Sequence, residues 1–450
     1  MKLSTGPSVP VSASDSPTDR STARAWSITA LIVVFATINW ADKAIFGIVA
    51  QALKEELGFT STQIGFAGSA FFFLFSVSGA ALSFLGDKIQ IRWILLVLAA
   101  LWSVIQLPML VTGSFAVLVI TRIALGVAEG PATAMANTAV FQWFPADKRS
   151  FPSALVAAGA SFAKIAVAPL LALVLAAWGW RACFITMGLV GLIWCLVWLA
   201  VGKEGPYGRR AGARKPAATD AGLRTPEQTQ RVPLRSILFT RSFLGALIGT
   251  FMVYGLVSAS ITWFPSYFEK GLGFSRLESG LMFGLPSIAS LVTMFGSTFV
   301  ADRLSSRKRP TRATRVSITT VFLVIGGLTL GAVPYVGKPI VVVAFLIIGY
   351  GCASVALPMM TAVVSQITPP QQLASTLGIF LAVQNLSGLI TPTLVGVLVD
   401  RASHPLAGYS FAYQMFGLAI VVGGIAIAVL VNPERDAAMP QHRPEDANAH

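Results

Sequence analysis

Twelve apolar stretches recur along this chain, each close to the length that crosses a bilayer as a helix. Their limits are about 26–50, 63–86, 93–111, 114–142, 151–176, 182–201, 242–268, 279–300, 316–333, 339–365, 373–399 and 409–431. Several are interrupted by Gly or Pro, as membrane helices tolerate. Hydrophobic residues make up 55% of the sequence and charged ones only 12%, against roughly 25% charged in an average soluble chain. A soluble fold would lack the charge to cover its surface, and disorder is excluded for the same reason. The pattern predicts an all-α polytopic membrane protein. An even number of spans puts both termini on one side.

Loop charges choose that side. With a cytoplasmic N-terminus, 24 of the 33 Lys and Arg fall in cytoplasmic segments, six on the opposite face and three inside spans. Both ends are therefore expected in the cytoplasm. The net charge of +14 then reflects topology and attraction to anionic lipid, with no nucleic-acid partner. Residues 1–25 are polar and show no cleavable signal peptide. Cys183, Cys195 and Cys352 sit in apolar stretches without metal-ligand spacing, which points to buried small hydrophobes and no metal site.

The expected organisation is a disordered cytoplasmic N-terminus (1–25), a six-helix bundle (26–201), a flexible basic cytoplasmic linker (202–241), a second six-helix bundle (242–431) and a disordered cytoplasmic tail (432–450). The halves resemble each other weakly. GDKIQIR (86–92) follows span 2 and ADRLSSRKR (301–309) follows span 8, each with an Asp and then basic residues; Pro169 and Pro392 recur in spans 5 and 11. Two parallel repeats with a site between them near the midplane are a transporter signature. The other loops are short, with no phosphate-cradling glycine loop, metal helix or nucleophile elbow. An enzyme is not expected, nor a cofactor. Transport would run on an ion gradient.

Charges inside hydrocarbon cost several kcal/mol and mark pathways or relays. Five lie well inside spans: Asp42 and Lys43 in span 1, Arg122 and Glu129 in span 4, and Lys164 in span 5. Asn39 falls within a turn of the first two. Arg122 and Glu129 are two turns apart and share a face, with Gly126 between them. Glu129 and Lys164 each lie 13 residues from a cytoplasmic helix end, so a Glu129–Lys164 pair is expected near the midplane. A buried carboxylate beside a cation takes and releases a proton when substrate competes for that cation. Arg122 offers two parallel hydrogen bonds to a substrate carboxylate, and Lys43 and Lys164 offer point charges. Three cations against two carboxylates favour an anionic substrate. The alternative, that these charges only lock helices together, stays open.

In the second half, Gln384, Asn385 and Ser387 interrupt span 11 and Tyr254, Ser258, Thr262 and Trp263 line span 7. Amides there hydrogen-bond a ligand or bind helix to helix; packing is favoured for Gln384. Tyr254 and Ser258 share a face open to substrate. Trp263 and Tyr267 are expected in the interfacial belt. Of Phe71, Phe72, Phe73 and Phe75, most are expected to face lipid.

The whole pattern resembles the major facilitator superfamily, in particular its anion:cation symporter branch, whose members carry sugar acids, sialic acid and phthalate-like carboxylates. NWADK (39–43) is similar to the branch's NYADR, RIALGVAEG (122–130) to its RxxLGxxEG, and WGWRACFITMG (178–188), TWFPSYFEKGLGFS (262–275) and VQNLSGLITPTLVGVLVD (383–400) to its later motifs. The resemblance covers about residues 26–431. It implies two pseudo-symmetric six-helix bundles and proton-coupled uptake of an organic anion across the bacterial inner membrane by a monomer that alternates access. It further implies that Asp42 and Glu129 carry the proton, that Arg122 couples it to substrate, and that Tyr254 and Asn385 contact the substrate. Asp87 with Arg92, and Asp302 with Arg303, would gate the cytoplasmic side. Lys43 stands where the branch has Arg. Lys164 stands where small residues are usual, which implies a different or additional anionic group on the ligand. A proton-coupled exporter of the same superfamily, of a drug or of an organic anion, is the competing expectation; span 5 carries Lys164 in place of a Gly-rich GP motif and would repel cationic drugs.

Overall fold

The computed structural model describes residues 19–82, 89–144, 150–207, 232–305, 310–369 and 372–438. Among the described residues every regular element is helical. Eleven helices among the described residues are long and apolar enough to cross a membrane. They are α1 (Asp19–Leu57), α2 (Ser61–Leu82), α3 (Ile91–Val111), α4 (Phe115–Phe141), α5 (Phe151–Val201), α6 (Arg241–Gly271), α7 (Arg276–Ala301), α8 (Arg312–Tyr335), α9 (Pro339–Gln366), α10 (Ser375–Arg401) and α11 (Pro405–Leu430). The starts follow local chemistry. Ser114 and Thr240 accept from the N–H three residues on, Ser275 and Glu278 form a reciprocal capping box, and His404 accepts from Ala407. Each satisfies an otherwise orphaned N–H of a first turn.

α5 holds the two expected spans 151–176 and 182–201 in one 51-residue run. At 1.5 Å per residue it would reach roughly 76 Å, against roughly 30 Å of hydrocarbon. Its backbone leaves the helix at Gly179 (φ 80°, ψ 177°), a conformation essentially restricted to glycine. The adjoining Trp180 and Arg181 donate to the two carboxylate oxygens of Glu56, at 2.7 and 2.5 Å, which pins this break to the end of α1.

Proline sets two further irregularities. In α5 the chain widens into a π turn at Ala163–Val167, where Ala168 donates five residues back to Ala163. Pro169 follows and has no N–H to offer the ordinary ladder. In α6 a π turn at Tyr267–Gly271 follows Pro265. Such turns recur at functional sites, and the first contains Lys164.

The chain divides into α1–α5 and α6–α11. Across the boundary α1 packs on α6, α2 on α10, and α5 on α7. That set maps onto itself when the halves are exchanged, as two parallel repeats require. The contacts are close: a side chain at Gly47 would run into the carbonyl of Ile261, and one at Gly65 into that of Pro392. At one end the halves are joined by Glu55 with Lys270 (2.6 Å) and Arg276 (2.9 Å). At that end Asp400 of α10 accepts from the first N–H groups of α2, at 3.0 Å from Ser61 and 2.6 Å from Thr62.

Several expectations are corrected. Helix α1 starts at Asp19, inside the segment expected to be an irregular terminus. The tail begins with a short helix, Pro433–Ala438, held because Asp436 accepts from the N–H of Ser242 at 2.9 Å; Arg435 donates to the same carboxylate at 2.6 Å. Of the expected linker, residues 208–231 lie outside the described residues. Trp263 and Tyr267 are fully buried rather than interfacial, because Trp263 donates to the carbonyl of Pro392 and Tyr267 stacks on Tyr409 and Tyr413. All three cysteines are free and buried, as expected.

Candidate functional site

Asn39, Asp42 and Lys43 lie one turn apart on α1 and are buried. The Lys43 ammonium is 2.5 Å from Oε2 of Glu129 on α4 and 2.8 Å from Oδ1 of Asn39, with the Asn39 carbonyl at 3.2 Å. Three donors thus meet three acceptors, the number an ammonium carries. Aromatic faces close the remaining sides: Trp40, Phe75 and Phe71 have ring centres 4.9, 5.3 and 5.6 Å from Nζ, within cation–π range. They reach this far because α2 lies directly on α4. A side chain at Gly126 would strike the carbonyl of Phe71, so that glycine lets α2 carry its phenylalanines over the ion pair.

The second carboxylate, Asp42, accepts from Nε2 of Gln106 on α3 at 2.9 Å. The Arg122 guanidinium lies over the ring of Phe46, 4.5 Å from its centre. Its Nε has no hydrogen-bond partner among the described residues. A buried guanidinium with donors to spare is a ready seat for an oxyanion. Lys43, Arg122, Phe46, Gly68, Phe71 and Phe72 line a small cavity with Ile261 and Thr262 of α6. Both halves therefore contribute walls, and the cationic groups come from the first. The cavity volume is about 20 Å³, roughly the room of one water.

The expected Glu129–Lys164 pair is not formed. Glu129 is taken by Lys43, and Lys164 on the π turn of α5 donates to the hydroxyl of Tyr350 on α9 at 3.2 Å. Equal depth put Glu129 and Lys164 level but said nothing of which helix lies between them. Helix α1 packs on both α5 and the Ala132–Phe141 part of α4 and supplies the nearer cation. Tyr254 is half-buried and meets Phe72 edge-on, 6.2 Å between ring centres. Ser258 is spent on packing, 2.8 Å from the Thr391 hydroxyl, instead of facing a ligand. Gln384 is buried with Oε1 unpartnered among the described residues, and Asn385 is half-buried beside it.

Of the expected gating residues, Arg92 and Arg303 have described side chains. Arg92 is engaged within its own half, donating to the carbonyl of Leu199 at 2.8 Å, while its backbone N–H donates to Glu204 at 2.8 Å. Arg303 is exposed with its guanidinium 6.0 Å from the ring centre of Phe299. Asp87, and the side chain of Asp302, lie outside the described residues.

Sequence reasoning missed Gln106, Tyr350 and the phenylalanine wall. Phe71 and Phe72 are buried and Phe75 half-buried, while Phe73 alone of the run is exposed. The signal was present: in FFFLF the residues at 71, 72 and 75 share one helical face and 73 does not. Gln106 was likewise an amide in an apolar span.

The sequence profile of the Major Facilitator Superfamily matches residues 31–351 and 312–449. Two relatives come from Bacillus subtilis (strain 168). A probable galactarate/D-glucarate transporter is 24% identical, with 94% of this chain and 97% of the relative covered. A hexuronate transporter is 26% identical, with 88% and 92% covered. Among solved structures, a D-xylose–proton symporter superposes with a TM-score of 0.73 at 16% identity, covering 91% of this chain and 99% of that one.

Proposed function

Since this chain belongs to the Major Facilitator Superfamily, we propose that it is a proton-coupled symporter that takes up an organic carboxylate, such as a sugar acid or an aromatic acid, by alternating access. In this reading the chain crosses the bacterial inner membrane twelve times, α5 crossing twice by turning at Gly179, with both termini cytoplasmic. It works as a monomer. The end of the bundle that carries Glu55, Lys270 and Asp400 then faces outward, and the structure is the state closed to the exterior.

The observation that carries the proposal is the buried cluster of Lys43, Glu129, Asp42 and Arg122, of which Lys43 and Arg122 line a cavity shared by both halves. Arg122, with donors unspent, receives the substrate carboxylate. Asp42 and Glu129 are the two carboxylates of that cluster. A proton on Glu129 removes the partner that holds Lys43 and frees a second cation for the substrate. Proton and anion thus load together, because each compensates the charge the other disturbs. Without both, the halves would carry unbalanced charge through the bilayer, which is costly. The printed activities of the two relatives, transport of galactarate or D-glucarate and of hexuronate, favour an organic acid as cargo.

The test is uptake of a panel of radiolabelled sugar acids and aromatic acids into liposomes containing the purified protein. An inside-alkaline pH gradient should drive accumulation, and a protonophore should abolish it. Uptake that ignores the pH gradient but follows sodium would refute proton coupling. Failure of every acid, with stabilisation by apolar cations instead, would move the assignment to a drug exporter.

A further inference from the structure

Lys164, like Arg122, is a buried cation with no ion pair to a carboxylate among the described residues. Its side chain is 8% exposed. Its polar partner is the neutral hydroxyl of Tyr350 in the other half, and its ammonium also lies 5.4 Å from the centre of that ring. A buried ammonium beside a phenol, without a counter-charge, is an expensive arrangement. The chain also departs from regular helix to make it. Lys164 sits in the π turn above Pro169, and Gly284 of α7 allows that turn to be approached closely, since a side chain there would crowd the Lys164 carbonyl. The π turn packs on α1, the helix that carries Lys43.

The two cationic places are joined by an aromatic wall. From the cavity at Lys43 and Arg122 it runs through Phe72 to Tyr254. Tyr254 lies on α6, which packs on α9, and Tyr350 of α9 holds Lys164. One end of this wall carries an arginine with a spare donor, the other an ammonium with no anion.

We propose that Lys164 and Tyr350 form a second anion subsite, and that the substrate is a dianionic organic acid with one acid group at Arg122 and the other at Lys164. This rests on the organic-anion assignment above and narrows it. The second group is a carboxylate or another singly charged acid of similar size, because Lys164 supplies one point charge and Tyr350 one hydroxyl. Binding would draw α5 and α9 onto the same group, so the second acid also bridges the halves.

The experiment compares matched pairs of acids on one skeleton, glucarate with gluconate and phthalate with benzoate, binding to purified full-length protein by isothermal titration. Wild type should bind the diacid of at least one pair roughly tenfold or more tightly, as expected for one added charge-assisted contact. Lys164→Gln should bring that ratio within about twofold of unity, Lys164→Arg should keep most of it, and Tyr350→Phe should lower it severalfold. Tyr350→Phe keeps the ring, so it reports on the subsite even if Lys164→Gln fails to fold. A wild-type ratio near unity in every pair that binds, or a ratio unmoved by Lys164→Gln and Tyr350→Phe, would overturn the second subsite and leave the organic-anion assignment standing. Sulfonate analogues of the diacids that bind equally well would support a subsite reading charge alone. No binding by any acid would overturn both.

Discussion

Oε2 of Glu129 and Nζ of Lys43 are 2.5 Å apart, and neither side chain is more than 5% exposed. A buried pair of this kind is strongly coupled: removing one partner strands the other and costs about 3–5 kcal/mol. The consequence separates folding from coupling. Glu129→Gln keeps an acceptor for Lys43 but cannot exchange a proton. It should abolish accumulation against a gradient while leaving substrate counterflow within a few-fold of wild type. Glu129→Ala should instead lower thermal stability in detergent by about 3–5 kcal/mol. Wild-type accumulation by Glu129→Gln would remove Glu129 from the proton pathway.

Arg122 should be irreplaceable for a different reason. Its guanidinium lies over Phe46, and its fork can grip a carboxylate with two parallel hydrogen bonds. Lysine brings charge but neither the fork nor the stacking. Arg122→Lys should weaken substrate binding by roughly tenfold or more, the loss of one charge-assisted bond, and Arg122→Ala should remove measurable binding. Titration calorimetry decides it; near-wild-type affinity in Arg122→Lys would mean the carboxylate is held elsewhere.

The helical class and the positions of the spans were legible because apolar runs of about 20 residues have few other solutions. The five buried charges were legible because charge in such a run demands a reason. Their partners were not. Depth along a helix follows from counting residues, whereas rotation and neighbour order depend on packing, and so Glu129 was matched to Lys164 when α1 had placed Lys43 nearer. Trp263 was misplaced in the same way, since proximity to a helix end does not say which face is turned to a neighbour. Phe71, Phe72 and Phe75 were visible as a helical face, but only the glycine contact of Gly126 with α2 shows which way that face turns.

Two kinds of contact close the end that holds Asp400, and their strengths differ. Glu55 pairs with Lys270 and Arg276, but these side chains are 31–46% exposed, where ion pairs contribute only about 0–1 kcal/mol. Asp400 caps a helix: its carboxylate takes two backbone N–H groups and the Thr62 hydroxyl at 2.7 Å. Charged hydrogen bonds at a helix N-terminus contribute roughly 1.5–3 kcal/mol each. Asp400→Ala should therefore raise the population open at this end by at least about tenfold, since 1.4 kcal/mol is a factor of ten. Glu55→Gln should raise it less than about fivefold. Electron–electron distance measurements between spin labels on α1 and α6 at this end would read the shift. A larger effect of Glu55→Gln would make the ion pairs the dominant closure.

The break in α5 has a backbone contribution separable from the Trp180 and Arg181 contacts with Glu56. At φ 80° and ψ 177°, Gly179 has open space where a Cβ would stand, so Gly179→Ala would meet no neighbour and would be penalised only through its own dihedrals. Such a conformation costs a non-glycine residue about 1–3 kcal/mol. Gly296 in α7 also has open space but ordinary helical geometry; alanine there should be neutral or stabilising, by up to about 1 kcal/mol. The two substitutions add the same methyl group, so thermal unfolding of the pair isolates the dihedral contribution. Opposite signs are expected. If Gly179→Ala proved as benign as Gly296→Ala, the turn of α5 would be held by Trp180, Arg181 and Glu56 alone.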